Sequence, residues 1–256
     1  MPWIVDGASL AARINLAGAV LINDLEASAY GIALLEPSEL FVLQSGGAEA
    51  AGNAAIISAG TGLGEAGLFW DGCQHVPFAT EGGHASFSPE NDFDLELLRW
   101  MRRQWQHVSW ERVLSGPGLE NIYRFLRDSG RAPEPPWLRD EMLSGDAPAT
   151  IARAADAGCE IAATALDCFV RYYGAEAGNL ALKTMARGGV YLGGGIAPKH
   201  LAKLSDGTFL KAFVSKGRMQ SILETVPLRV IVSENLNLLG AARCAVGRGG
   251  AVATSR

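Results

Sequence analysis

Cysteine is scarce in this 256-residue chain, and the four that occur (Cys73, Cys159, Cys168 and Cys244) form no Cys-x-x-Cys pair and no cluster with histidine. That spacing supports neither a disulfide framework nor a zinc site. Plain thiols in a reducing cytosol are the expectation. Basic charge is also short: 22 Lys and Arg against 27 Asp and Glu leave a net charge of −5. Without a cationic excess to displace counterions from phosphates, nonspecific nucleic-acid binding is disfavoured. The Arg102-Arg103 pair sits beside Trp100 and Trp105 in a helix-like stretch and reads as a solvated face. No uncharged apolar run is long enough to cross a bilayer, and Asp6 and Arg13 interrupt any leader-like start. A cytoplasmic protein acting on small molecules, with no membrane and no nucleic-acid partner, is expected. Two phosphate-binding signatures are missing as well. There is no Gly-Lys-Ser/Thr of a Walker A loop, and no glycine fingerprint leading directly into a helix.

What is present is ample core material: 48% hydrophobic and 19% charged residues, enough for one large domain or two modest ones. Residues 8–16 read as a helix after a strand-like Trp3-Ile4-Val5. Residues 18–22 form a continuous apolar run, the pattern of a strand buried on both faces of a parallel sheet. Helical spacing follows over 25–35, which puts Asn23-Asp24 at a strand's carboxyl end, where open α/β sheets bind ligands. Strands are expected at 41–43, 54–58 and 66–70, with Gly46-Gly47 as a turn. The glycines at 60–64 then fall in a β-hairpin. Helices are expected over 93–107, 110–114 and 119–126, a proline-rich loop over 131–137, and a long alanine-rich helical region over 149–186 interrupted near Gly174. A strand at 189–192, a helix from Pro198, a strand at 226–232 and a helix at 236–246 complete the pattern, with a frayed tail from Gly247.

Several residues could carry chemistry, each with a plainer alternative beside it. Asp24 could accept the proton of a substrate hydroxyl, or simply cap the following helix. Asn23 offers a donor and an acceptor to a second hydroxyl, and is equally a turn former. In Glu81-Gly82-Gly83-His84 the two glycines let the backbone turn tightly, so that both polar side chains can reach one pocket. With Glu111 they suit a polyol; the alternative is a loop with a surface carboxylate and a structural histidine. Gly60-Thr61-Gly62-Leu63-Gly64 offers unobstructed amides and a hydroxyl to phosphate. Gly193-Gly194-Gly195, ahead of a Pro-initiated helix, could lie flat against a nucleotide or be a simple strand-to-helix turn.

Taken in order, these stretches resemble the bacterial glucokinase family, of the proteobacterial type. They are 21–27 (Leu-Ile-Asn-Asp-Leu-Glu-Ala), 60–64, 81–87, 111–119 (Glu-Arg-Val-Leu-Ser-Gly-Pro-Gly-Leu) and 190–198. The resemblance covers nearly the whole chain. It implies an actin-like, ribonuclease H-like α/β sugar kinase fold and ATP-dependent phosphorylation of glucose at the 6-hydroxyl. Asp24 would be the general base, with Asn23, Glu81, His84 and Glu111 on the other sugar hydroxyls. Gly60, Thr61 and Gly62 would meet the ATP phosphates, Mg²⁺ would be carried on those phosphates, and Gly193, Gly194 and Gly195 would lie near the adenosine. No residue is expected to bind a metal directly.

The implied division is 1–36 as a small-domain remnant carrying Asp24, 37–225 as the large domain, and 226–256 as a strand and helix returning to the small domain. Members of the family open with an Asp-x-Gly-Gly-Thr turn that holds phosphates and Mg²⁺ opposite Thr61, and this sequence has none. The expectations are therefore an intact sugar shell with impaired turnover, and a start inside the small domain, either in a fragment or in a divergent protein that has shed catalysis. A non-catalytic sugar-binding or regulatory protein is the rival reading. The alanine-rich region after Ala149 is a candidate homodimer surface.

Overall fold

The computed structural model describes residues 5–47 and 51–253. Of the expected strand-like start, Trp3 and Ile4 lie outside the described residues, and Val5 is exposed and in no strand. Among the described residues, six strands form one mixed sheet: β1 Leu40–Gln44, β2 Ala54–Ala59, β3 Leu63–Trp70, β4 His75–Ala79, β5 Gly189–Gly193 and β6 Leu228–Ile231. Their order is β1-β6-β5-β2-β3-β4. The middle is parallel, with β2 beside β5 and β5 beside β6, while β1, β3 and β4 run antiparallel toward the edges. The helices are α1 Gly7–Arg13, α2 Asp24–Ile32, α3 Asp92–Met101, α4 Gly116–Asp128, α5 Pro136–Ser144, α6 Ala147–Asp156, α7 Glu160–Thr184, α8 Leu201–Leu204, α9 Thr208–Val214, α10 Gln220–Leu223 and α11 Leu236–Ala253. Among the described residues, no helix is long and apolar enough to cross a membrane.

The two-residue period of a strand sorts β2 into two cores. Ala55, Ile57 and Ala59 face the larger one with α4, α6, α7 and α9, and Ala54 and Ile56 face a smaller one with α2 and α11. An apolar run such as 54–59 stays a strand because it is covered on both sides. Residues 18–22 show the opposite outcome and correct the expectation of a buried strand. They pair with no described strand, and Val20 and Leu21 are 57% and 54% exposed. Hydrophobicity alone does not make a strand; its amide and carbonyl groups need a neighbouring ladder.

Other expectations shift at their boundaries. The alanine-rich region breaks at Gly158 (φ +82°), while α7 runs unbroken through Gly174. Gly174 serves helix crossing: a Cβ there would lie 2.2 Å from the Phe209 carbonyl oxygen of α9. Most of α7 is buried inside this chain, so within the alanine-rich region exposed alanine surface is confined mainly to its first part, at Ala149 and Ala157. Helix α4 starts at Gly116 and not 119, because Ser115 caps it by accepting the Gly118 amide. Helix α3 stops at Met101, short of 107. The chain from Gly247 continues α11 as far as Ala253, where fraying was expected. Strand β6 lies within the sheet, between β1 and β5.

Helix α11 lies along α2 at glycine contacts. A Cβ on Gly240 would fall 1.7 Å from the Ala27 carbonyl oxygen, and one on Gly31 would fall 2.5 Å from that of Leu236. Across the molecule, buried Asp94 ties α3 to α7 through Arg171 and the Tyr172 hydroxyl (2.8 Å), and also accepts the Glu90 amide just ahead of α3 (3.0 Å). Burial pushes this carboxyl up, but those hydrogen bonds and the guanidinium charge outweigh it and hold it below the ordinary range.

Two outcomes follow. Gly240→Val should cost about 1–3 kcal/mol by overpacking the α2–α11 contact, read as a lowered urea midpoint. The stability that Asp94 contributes over Asp94→Asn should be present above about pH 4, the ordinary carboxylate range. Its carboxyl is depressed on folding, so that advantage should disappear as pH falls further, through the folded value, in paired thermal melts.

Candidate active site

The carboxyl ends of β2 and β5 lie side by side, with Ser58 opposite Gly193, and each opens into a glycine loop. The β2–β3 hairpin loop is closed by the Gly60 amide on the Gly62 carbonyl (2.9 Å). It is seated from three directions. The Gly116 amide, at the start of α4, donates to the Gly60 carbonyl (2.8 Å). Glu111 Oε2 accepts the Leu63 amide (3.0 Å), and a Cβ on Gly62 would fall 2.6 Å from that oxygen. Leu25 of α2 packs so closely over Gly64 that a Cβ there would meet it at 2.3 Å. On the β5 side, Gly194 has φ +81°, and a Cβ would lie 2.4 Å from the Ala59 carbonyl oxygen, so two constraints select glycine. Gly195 faces open space.

Asn23 and Asp24 reach this region because α2 starts there. Asn23, and not Asp24, is the cap: its Oδ1 accepts the amides of Leu25 (2.8 Å) and Glu26 (3.4 Å). With its oxygen engaged, the Asn23 side chain offers a ligand chiefly its NH₂ group. Asp24 is the first helical residue, exposed, and held by the Leu25 amide at Oδ1 (2.8 Å). A carboxylate at a helix N-terminus is favourably placed toward the amide ends of the helix. The 81–84 loop arrives from β4, a strand that hydrophobic pattern had not marked, because its Pro77 disguised an edge strand. It coils as a short 3₁₀ turn in which Gly83 passes close beneath Leu63, a Cβ falling 2.1 Å from that carbonyl oxygen. His107 Nε2 holds the His84 carbonyl from outside (2.9 Å).

All the expected sugar-side residues meet in one cleft of about 330 Å³. Asn23, Asp24, Glu81, His84 and Glu111 line it together with Gly60, Thr61 and Gly62. Its rim is predominantly polar, which suits a ligand with many hydroxyls. A second cavity of about 520 Å³ shares Asp24 and Ser58 with the first and is walled by Gly193, Gly194 and Gly195. A third, of about 500 Å³, joins Gly60 and Thr61 to Gly195, Ile196 and Lys199, with Pro117, Leu119, Pro148 and Ala152 supplying apolar surface. The glycine loops are therefore shared walls, and Asp24 stands where the first two cavities meet. Sequence reading missed Ser58, Thr80, Glu65 and Lys199 as lining residues. Only Glu65 carried a signal, as a lone charge in the otherwise apolar strand 63–70. Among the described residues, no three His, Cys, Asp or Glu side chains cluster to hold a metal ion.

Comparison with known proteins agrees over most of the chain. A family model described as glucokinase matches residues 1–247. A glucokinase from Trichormus variabilis is 42% identical over 257 residues, covering 95% of this chain and 75% of that protein. Among solved structures, a glucokinase from an Antarctic psychrotroph superposes with a TM-score of 0.79 at 31% identity, covering 93% of this chain and 71% of that one. A ROK family glucokinase from Streptomyces griseus, solved with glucose and AMPPNP, shares the fold at a TM-score of 0.59 and 21% identity, over 93% of this chain and 71% of its own.

The geometry of the hairpin generates one outcome. Glu111→Ala should leave the Leu63 amide without its acceptor in a buried setting and cost about 1–3 kcal/mol, read from chemical denaturation.

Proposed function

Because the chain belongs to the glucokinase family, we propose that it transfers the terminal phosphoryl group of ATP to the 6-hydroxyl of glucose. The observation that carries this reading is Asp24 at the junction between a polar cleft and a glycine-walled cavity. A phosphoryl acceptor in the first cleft and a donor entering from the glycine loops would meet at that carboxylate. The sugar oxygen attacks the γ-phosphorus, the bond to the β-phosphate oxygen breaks, ADP leaves, and the hydroxyl proton passes to Asp24. Glu81, His84, Glu111 and the Asn23 amide hold the remaining hydroxyls. Their own polar groups would lie unpaired against an analogue lacking a hydroxyl, which is how such a cleft discriminates.

The nucleotide fits the second and third cavities. The amides of Thr61 and Gly62 and the Thr61 hydroxyl form a phosphate cradle beside the start of α4, with the Gly60 amide closing the loop that presents them, and Gly194-Gly195 leaves room for a flat group against the apolar wall. Mg²⁺ entering on the phosphates would screen their charge. The division at 36/37 and 225/226 belongs to the same proposal, with β6, just beyond the second boundary, pairing into the sheet of the large domain. Cytoplasmic action and self-association are further parts of it.

The test pairs a coupled ADP-release assay with glucose calorimetry on this chain. Asp24→Asn should lower kcat by about 10²–10⁴-fold while glucose affinity stays within a few-fold. Glucose binding without ADP release in the parent would transfer the chain to the class of non-catalytic sugar-binding proteins, and absence of both would overturn the reading.

A further inference from the structure

Glu65 projects from β3 toward α7, on the face opposite Gly64, and is 2% exposed. Its carboxyl lies directly under the 81–84 loop. A Cβ on Gly82 would fall 1.9 Å from Glu65 Oε2, so any side chain there would displace the Glu65 carboxyl. The same residue holds the approach to the loop by its backbone. The Thr80 hydroxyl donates to the Glu65 carbonyl (2.9 Å), and the Gly82 amide donates to the Thr80 oxygen (3.2 Å). Glu65 Oε1 is the one buried side-chain oxygen or nitrogen without a hydrogen-bond partner among the described residues. An ionised carboxylate in that position would be an uncompensated buried charge.

The charged groups acting on it come from α7. Fully buried Glu176 faces it, and Glu176 is itself held by Lys183 Nζ (3.0 Å) and Asn179 Nδ2 (2.7 Å). Asp24 of α2, Glu81 and His84 of the loop, and Glu111 line the cleft alongside it. The neighbouring strand β2 contributes no titratable side chain. Burial, then the charge of Glu176, push the Glu65 carboxyl up to about 8, with Lys183 opposing them. Around neutral pH the pair therefore holds one extra proton.

We propose that Glu65 is a positioning residue for the sugar-binding loop: its neutral carboxyl, wedged between Gly82 and Glu176, keeps Glu81 and His84 aimed into the cleft, and its ionisation releases them. Two carboxylates in the same dry site repel, and the part placed to yield is half-buried Gly82, directly over Glu65 Oε2 and tied at its amide by the 3.2 Å bond to Thr80. The inference rests on the glucose reading for its functional half, while its structural half stands on the fold alone.

Both halves are measured with this chain and Glu65→Gln, which keeps shape and hydrogen-bonding capacity but cannot ionise. Glucose affinity of the parent, by tryptophan fluorescence or calorimetry, should be flat from pH 6 to 7 and about tenfold weaker at pH 9, one unit above the carboxyl's midpoint. Glu65→Gln should hold its affinity within about twofold over that range. Without sugar, the sign is fixed by linkage: a carboxyl raised on folding binds a proton in the native state that the unfolded chain has lost. Parent stability should therefore decline relative to Glu65→Gln from about pH 4.5 to about 8 and then level off, in paired thermal melts. An alkaline affinity loss shared by both proteins, or absent from the parent, overturns the positioning role. Failure of both proteins to bind glucose at pH 6–7 overturns the functional half together with the glucose reading. Parallel melting curves overturn the structural half even then, and diverging ones support it.

Discussion

Three of the segments around the cleft are seated on one five-residue loop. The loop 60–64 receives the start of α4 on its first carbonyl, Glu111 on the Leu63 amide, and α2, through Leu25, over Gly64. Three segments far apart in sequence thus take their positions from backbone atoms of a single turn, and glycine is what allows them so close. Side chains at Gly62 or Gly64 would displace the Glu111 carboxylate or the Leu25 side chain of α2 from these seats. In a cleft whose function is orientation, displacement of about 1 Å is already expensive in rate. The glycines that looked like a phosphate cradle in sequence are therefore also the datum from which the polar side of the cleft is positioned.

The sheet supplies the rigidity that makes such a datum useful. Its parallel centre is covered on both faces, with β2 dividing its side chains between two cores. The carboxyl ends of β2 and β5 can then present their loops at fixed separation, linked by the tight passage of Gly194 against the Ala59 carbonyl. The polar cleft and the glycine-walled cavities open along this edge, the place where a parallel sheet exposes loop backbone and little else.

Much of this was legible in the sequence, and the exceptions have physical causes. The β2–β3 hairpin and β5 announced themselves by apolar runs bounded by glycine and β6 by an apolar run alone, and the five polar positions expected on the sugar side line one cleft. The run at 18–22 misled because hydrophobicity reports a wish for burial but not whether a partner strand is there to satisfy it. Strand β4 was hidden by Pro77, which an edge strand tolerates. The identity of the helix cap, Asn23 over Asp24, depends on a one-residue choice that composition does not encode. Glu65 escaped notice because its meaning lies in Gly82 and Glu176, which are brought to it only by the fold.

The packing of α11 on α2 has a consequence in time. Asp24 rides on a helix whose far side is covered by a helix more than two hundred residues later in the chain, through the contacts of Gly31 and Gly240. During synthesis the hairpin, the 81–84 loop and Glu111 can all be in place while the helix bearing the carboxylate still lacks its support. The cleft is thus completed only once α11 has been made, and a nascent chain would hold the loops around the cleft before Asp24 is firmly placed.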